Sequence, residues 1–298
     1  MPAYTFTKDF LWGCSTASYQ IEGATEEDGR GPSIWDTFCG TPGKILNADT
    51  GRVACDHYHR YLEDCDLMKQ LGVGAYRFSI AWPRILPQGT GAVNEKGIDF
   101  YDRLVDALLE RGIQPAVTLY HWDLPQVLED KGGWRVRSTV EAFSEYAAIM
   151  GRRLGDRVNM WFTVNEPSVS WWFGYAAGVH APGAKEPAKV WRQVSHHHLM
   201  AHGAAVRALR ANAPGPFRVG LANATNVILP LHENETDIAL ARDAFHRSNG
   251  WAFEALYNGK YPDRDIEELG PDAPDIADGD MELISEPTDF LAINIYGA

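Results

Sequence analysis

The chain has 298 residues, of which 45% are hydrophobic and 22% are charged, a composition that allows a large buried core. This length exceeds a typical single core but suits an α/β barrel. The formal net charge of -13 argues against nucleic acid or an anionic membrane as a partner, since both require clustered Lys and Arg. No run reaches the roughly 18 apolar residues of a membrane span, and the first residues lack the pattern of a secretion signal. We therefore expect a cytoplasmic protein.

Short apolar runs alternate with helical stretches along the chain, which predicts βαβ units and a parallel sheet. Residues 94–112 carry apolar side chains at helical spacing, and Gly112 follows as a C-terminal cap. Ser138 and Glu141 predict a capping box at the start of another helix. The Pro-, Asp- and Gly-rich tract 262–280 predicts a surface loop. The six predicted strands are 11–17, 75–80, 115–120, 160–164, 218–222 and 289–296.

The number of strands falls short of a closed barrel. A complete (β/α)₈ TIM barrel has eight strands, whereas this sequence stops after its sixth. We predict one catalytic barrel domain over residues 1–298 that is truncated on its C-terminal side and lacks strands seven and eight. Such a sheet leaves strands one and six open at their edges. A complementing C-terminal fragment or an oligomer is the expected partner.

The fourth predicted strand runs directly into Asn165, Glu166 and Pro167. A carboxylate at the carboxyl end of a barrel strand lies on the face where such barrels collect their catalytic groups, so Glu166 is predicted to be a general acid. The alternative is an ordinary strand-end carboxylate that makes a salt bridge or caps the next turn. The other strands also end in polar side chains, and together these endings predict a polar pocket on one face. They are Ser18, Tyr19, Gln20, Arg77, Ser79, Tyr120, His121, Trp122, Asp123, Asn223, Asn294 and Tyr296.

Several longer motifs resemble glycoside hydrolase family 1, the β-glucosidases and their relatives, and the similarity runs from end to end. The resemblance implies a (β/α)₈ barrel that hydrolyses terminal non-reducing β-D-glucosyl residues with retention of configuration. The motifs are Phe10-Leu11-Trp12-Gly13, Tyr19-Gln20-Ile21-Glu22-Gly23, residues 28–36 (DGRGPSIWD), Tyr76-Arg77-Phe78-Ser79, residues 118–125 (TLYHWDLP), Thr163-Val164-Asn165-Glu166-Pro167 and Asp289-Phe290-Leu291.

The resemblance also assigns roles to individual residues. Glu166 matches the family's acid/base, and Arg77 and Tyr296 match groups beside the nucleophile. The residues that match the holders of the non-reducing-end sugar are Gln20, His121, Trp122 and Asn165.

Three further residues are predicted to contact the substrate. Asn223 ends the fifth strand, and Trp172 and His180 are candidates for the leaving-group side.

The sequence departs from the family pattern near its end. Ala292 and Ile295 stand where Gly and Tyr are common, so the shape around Tyr296 is open to change. The family's nucleophile lies in a Thr-Glu-Asn-Gly segment on strand seven, and this sequence contains no such segment. Activity of the chain alone is therefore an open question.

Two clusters of histidine and cysteine residues resemble metal-ligand sets. Cys55, His57, His59 and Cys65 could ligate zinc, but the same region must supply the buried face of a helix. Histidines are also clustered at 196–198 and 202, where a zincin's Glu is missing. We read all of these as packed or capping residues and predict no metal and no cofactor.

The expected substrate is a β-glucoside or a cello-oligosaccharide. Two alternatives stay open at this point. The chain could be a catalytically inactive sugar-binding fragment, or its activity could be that of a 6-phospho-β-glucosidase or a β-galactosidase of the same family. The sequence assigns neither sugar specificity nor oligomeric state.

Overall fold

The structure is a computed structural model and describes residues 5–297. Its strands form one parallel sheet in the order β1-β2-β3-β4-β5-β6, so each strand pairs with its neighbours in sequence. This is the predicted partial (β/α)₈ barrel. The strands are β1 (Gly13–Ser15), β2 (Ala75–Ser79), β3 (Gln114–Tyr120), β4 (Met160–Asn165), β5 (Arg218–Ala224) and β6 (Ala292–Asn294).

Helices connect the strands and cover the outside of the sheet. They are α1 (Ser18–Ile21), α2 (Ile34–Gly40), α3 (His57–Leu71), α4 (Trp82–Ile85), α5 (Glu95–Glu110), α6 (Gln126–Glu129), α7 (Ser138–Leu154), α8 (Pro167–Val169), α9 (Ala188–Asn212), α10 (Glu235–Asn258), α11 (Asp263–Leu269) and α12 (Asp280–Ile284). Short 3₁₀ turns lie at 46–48, 133–135 and 270–272, and a π-helical turn spans Ser170–Ala176.

The inner strands match the predicted ranges to within two residues, but β1 and β6 are shorter than predicted. Each of these two strands pairs on one side only, with β2 and β5 respectively, and pairs over just three residues. An outer strand has half the ladder hydrogen bonds of an inner one, so its ends leave the sheet sooner.

Two local predictions were wrong. The helix α7 begins at Ser138 itself, with Arg137 as its N-cap and no side-chain cap, so the predicted capping box does not form. The tract 262–280 is not a plain loop, because it contains α11. Pro262 precedes α11, and Asp263 and Asp265 in its first turn favour a helix start, which outweighed the loop-forming composition.

The core lies between the sheet and its helices. Helix α5 buries Phe100, Leu104, Val105 and Leu108, as its periodicity predicted. The indole of Trp82 stacks on the Tyr146 ring with centroids 5.2 Å apart. Burial of such aromatic side chains removes a large apolar area from water and holds the helices against the strands.

Two helical glycines give opposite predictions for the same substitution. A Cβ on Gly203 in α9 would overlap the Leu283 carbonyl oxygen, whereas one on Gly250 in α10 would meet only Pro262 Cγ at 3.7 Å. Gly203→Ala should therefore lower the melting temperature, since α9 cannot approach α12. Gly250→Ala should raise the free energy of unfolding by about 0.5–1 kcal/mol through helix propensity. Thermal unfolding of both variants checks this, and a stable Gly203→Ala protein would contradict the tight packing.

Apolar side chains are exposed beside both outer strands. Ile293 lies in β6, Leu291 and Ile295 flank it, and Phe10 and Trp12 precede β1. Exposed apolar residues at an open sheet edge favour pairing with further strands. The complementing partner stays a prediction. None of the helices within residues 5–297 is long and apolar enough to cross a membrane.

Candidate active site

Glu166 lies directly after β4 and is buried, with 3% of its surface exposed. The pairing of β4 with β5 shifts register between Phe162 and Asn165, just before it. Its backbone has φ 45°, in the left-handed region that costs a non-glycine residue about 1–3 kcal/mol. The backbone N–H donates to the Ala222 carbonyl at 2.7 Å, which holds this conformation. The strained turn directs the carboxylate toward the carboxyl ends of the neighbouring strands.

Two donors from the end of the chain contact the Glu166 carboxylate. Asn294 Nδ2 donates to Oε1 at 2.7 Å, and the Tyr296 hydroxyl donates to the same oxygen at 3.0 Å. Both hydrogen bonds use Oε1, so Oε2 is left for a proton or a substrate atom. Tyr296 is 86% exposed. The structure thus places Tyr296 against Glu166, and its predicted position beside a nucleophile stays a prediction.

Asn165 connects the residues of three strands. Its Oδ1 accepts from Arg77 Nη2 at 2.6 Å and from Asn294 Nδ2 at 3.1 Å. Its Nδ2 donates to His121 Nε2 at 3.1 Å, and its backbone carbonyl accepts from Trp122 Nε1 at 2.8 Å. This amide therefore fixes the relative positions of four predicted site residues.

Arg77 supplies a partly buried positive charge. Its Nε donates to Thr118 Oγ1 at 2.9 Å, and its guanidinium lies 4.5 Å from the centre of the Phe162 ring. Burial lowers the pKa of Arg77 to about 10, while the charge of Glu166 and the Tyr296 phenol act to raise it. The guanidinium remains charged at neutral pH and lies in a site where water screens it poorly.

His121 and Trp122 follow β3. Because His121 Nε2 accepts from Asn165, the ring proton of the neutral imidazole is assigned to Nδ1. Burial, with a smaller effect of Arg77, lowers the pKa of His121 to about 3, so the ring stays neutral. Its Nδ1 is buried and has no hydrogen-bond partner among residues 5–297. Trp122 adopts φ 76°, a second strained backbone at this site.

A cavity of about 430 Å³ opens beside His121 and Trp122. The predicted residues Gln20 and His180 also line it, and burial lowers the pKa of the His180 imidazole. Aromatic rings continue along its wall, since Trp35 lies 6.0 Å from Tyr19 and 5.6 Å from His180 between ring centres. Flat aromatic faces with a few polar groups suit a sugar ring.

The remaining predicted site residues lie elsewhere. Asn223 is buried on β5, and its Nδ2 has no partner within the described part of the chain. Trp172 is 48% exposed and packs edge-on against Trp191 with centroids 5.4 Å apart. Trp172 does not line the cavity with Gln20, so its predicted contact with the leaving group stays a prediction.

The histidines considered as metal ligands have protein partners. His57 Nδ1 lies 2.6 Å from an Asp64 carboxylate oxygen, and His202 Nδ1 lies 2.7 Å from Thr163 Oγ1. His198 Nδ1 donates to the Val194 carbonyl at 2.9 Å. These contacts are those of packed histidines.

Sequence reasoning missed several contributors. Trp35 and Cys39 line the cavity without having been predicted there, and Tyr19 and Asn294 were predicted only as polar strand ends, with no role beside the cavity or Glu166. A signal was present for three of them: Tyr19 precedes Gln20, Trp35 lies in the motif at 28–36, and Asn294 ends the sixth strand. The pattern of strand ends thus located the site, but not each member.

Comparison with known proteins identifies the family in which this arrangement occurs. The profile of the family "Glycosyl hydrolase family 1" matches residues 3–298. Beta-glucosidase A of Acetivibrio thermocellus is 47% identical over 300 residues, which cover 100% of this chain and 66% of that protein. The solved family 1 β-glucosidase of Thermotoga maritima superposes with a TM-score of 0.91 at 46% identity, covering 98% of this chain and 65% of that one.

A further solved structure carries a ligand. The virulence factor SghA, in a complex with its substrate analog salicin, superposes with a TM-score of 0.90 at 46% identity, covering 98% of this chain and 66% of that one. The chain thus spans about two thirds of the length of these relatives. On its sequence, its six parallel strands and the residues at their carboxyl ends, the chain belongs to glycosyl hydrolase family 1.

Proposed function

We propose that this chain is the acid/base-bearing part of a retaining β-glucosidase, with Glu166 as general acid and base. The observation that carries the proposal is the geometry of its carboxylate. Asn294 and Tyr296 hold Oε1 in a buried position, and Oε2 is left for the proton that a leaving oxygen must receive. A general acid needs both a fixed orientation and one oxygen without a competing partner.

In the proposed mechanism, Glu166 donates its proton to the glycosidic oxygen while that oxygen leaves the anomeric carbon. A second carboxylate, about 5 Å away in retaining enzymes, forms a bond to the same carbon. Water then attacks the anomeric carbon and gives a proton to Glu166. The bond to the second carboxylate breaks, and the sugar is released. The second carboxylate belongs to the segment that carries strands seven and eight, whether that segment is continuous with this chain or separate.

The other site residues have supporting roles in this proposal. Arg77, charged and partly buried, stabilises the ionised form of the attacking carboxylate. His121 lines the cavity with a neutral imidazole that Asn165 holds in place. Trp122 and Gln20 line the same cavity and supply an apolar wall and an amide. Glu166 does not itself line this cavity, but it follows Asn165, which bonds to both His121 and Trp122, so in this proposal a sugar ring held there lies near the acid.

The substrate proposal rests on the relatives. Two relatives, one from Acetivibrio thermocellus and one from Thermotoga maritima, are β-glucosidases. This chain covers about two thirds of the length of each. We propose β-glucosides or cello-oligosaccharides as substrates. A cytoplasmic location also stays a proposal.

Release of nitrophenol from 4-nitrophenyl β-D-glucoside tests the function. The assay is run on the chain alone and on the chain supplied with strands seven and eight, continuous or as a separate fragment. We expect turnover only when those strands are present. Sugar binding without turnover in both forms would identify a binding module instead. Parallel assays with the galactoside and the 6-phosphoglucoside show which sugar the pocket accepts.

A further inference from the structure

Asp123 is buried in the loop that carries the cavity residues His121 and Trp122, and it belongs to no step described above. Its side chain is fully enclosed, and it directly follows His121 and Trp122. The Ser18 hydroxyl donates to Asp123 Oδ2 at 2.5 Å across 105 residues of sequence. Its other oxygen, Oδ1, is buried without a hydrogen-bond partner in the part of the chain that the structure describes. A buried carboxylate with one free oxygen is costly, so its presence calls for a reason.

Ser18 starts the short helix α1, which carries Tyr19 and Gln20 into the cavity. The N-cap Ala17 has no side-chain acceptor, so the Ser18 N–H donates to Ser79 Oγ at the end of β2, at 2.7 Å. Ser18 thus bonds near the ends of two neighbouring strands. Its N–H donates to Ser79 at the end of β2, and its hydroxyl donates to Asp123 in the loop after β3. Without the Asp123 contact, α1 would lose its bond to the loop after β3 and keep its bonds to Ser79, Gly51 and Cys55.

The loop after β3 also holds the segment that carries Trp35, another residue lining the cavity. Ser33 pairs with Pro125 in an antiparallel bridge, and the Ile34 N–H donates to the Leu124 carbonyl at 2.9 Å. These bonds fix the start of α2, which carries Trp35 into the cavity. The segments that carry Gln20, Trp35 and the His121–Trp122 pair therefore meet at residues 123–125.

We infer that Asp123 is a positioning residue that sets the affinity of the cavity for a sugar by holding α1 against the loop after β3. This inference rests on the proposed function only for the identity of the ligand. The ionised carboxylate is the better acceptor for the Ser18 hydroxyl. The contact should therefore be strongest where Asp123 is charged.

Burial raises the pKa of Asp123 to about 7, against smaller lowering effects of Ser18 and Arg30. The other titratable groups facing it are Glu22 and the buried phenols of Tyr120 and Tyr146. A carboxyl whose pKa is higher in the folded than in the unfolded state binds more protons when folded, so its contribution to stability falls as pH rises toward and through 7. Above pH 7, where Asp123 is ionised, we therefore expect tighter binding of the sugar and a lower free energy of unfolding than at acidic pH.

The test is calorimetric binding of methyl 1-thio-β-D-glucoside, an uncharged sugar that is not hydrolysed, to the wild type and to Asp123→Asn. At pH 8 we expect the dissociation constant to rise about tenfold in Asp123→Asn, because a hydrogen bond to a charged carboxylate becomes a weaker one to a neutral amide. At pH 5.5 the two proteins should agree within about twofold, since Asp123 is then protonated in the wild type. Asp278→Asn, an equal charge change at an exposed position, should bind as the wild type does.

The melting temperature separates positioning from a purely structural role. We expect Asp123→Asn to melt at or above the wild-type temperature at pH 8, because the amide removes a buried charge. Ser18→Ala should weaken binding more in the wild type than in Asp123→Asn, since its hydroxyl bonds a charged carboxylate in the first and a neutral amide in the second. Equal affinities of the wild type and Asp123→Asn at pH 8, including no detectable binding in both, would overturn the inference, as would weaker binding that only follows a lower melting temperature. If protein supplied with strands seven and eight shows no turnover, but the wild type and Asp123→Asn still differ in affinity at pH 8, only the proposed function is overturned.

Discussion

Replacing Glu166 by Gln is expected to lower kcat/KM for an alkyl β-glucoside by about 10²–10⁴ in protein supplied with strands seven and eight. An alkoxide is a poor leaving group and needs the proton that the amide cannot give. A dinitrophenyl glucoside leaves without protonation, so the first chemical step should lose much less. The sugar should still bind, because the contacts of Gln20, His121 and Trp122 are unchanged.

Steady-state kinetics with the alkyl and the dinitrophenyl substrates measure this difference. Glu145→Gln, the same change at an exposed position on α7, is the matched control and should leave both rates unaltered. Equal losses with both substrates would show that Glu166 acts otherwise than as a proton donor. Undiminished turnover of the alkyl substrate would remove it from the mechanism.

Replacing Arg77 by Met is expected to reduce kcat by about 10² or more, since a preorganised charge in a poorly solvated site contributes at that level. The partly buried guanidinium carries a positive charge and donates a hydrogen bond to Asn165, next to Glu166. Its loss should also raise the pKa of the attacking carboxylate, which a cation otherwise lowers. The acidic limb of the kcat/KM profile should therefore move to higher pH.

The pH–rate profile is the decisive measurement, because a general loss of packing would not shift a limb. Arg218→Met provides the control, since Arg218 is exposed at the opposite end of β5. A reduced kcat with an unmoved acidic limb would mean that Arg77 only orients Asn165. An unchanged kcat would exclude it from the reaction.

The fold followed from the sequence where the pattern is repeated and local. Buried parallel strands read as short apolar runs, and helices such as α5 show apolar side chains at every third or fourth position. These periods placed the four inner strands to within two residues. The ends of β1 and β6 depend on how many residues a neighbour pairs with, which no local pattern records. The helix α11 was missed because Pro and Gly near it outweighed the acidic residues of its first turn.

For the site, the sequence predicted which strand ends carry polar side chains but not which of them touch. Tyr296 was expected beside a nucleophile, and the structure brings its hydroxyl to Glu166. Asn165 was expected to meet a sugar hydroxyl, and its amide nitrogen is directed at His121. Such pairings depend on the backbone turns at Trp122 and Glu166. Both residues have positive φ values, which a Trp or a Glu in the sequence does not predict.

The sequence by itself determined the family, the parallel α/β architecture and the position of the carboxyl group proposed to carry the proton, because each is encoded in neighbouring residues and their spacing. Only the tertiary structure decided that Asn294 and Tyr296 hold Glu166 and that Ser18 and Asp123 join two walls of the cavity. These contacts join residues more than 100 positions apart, and their geometry depends on how parallel strands bring their carboxyl ends to one face of the sheet.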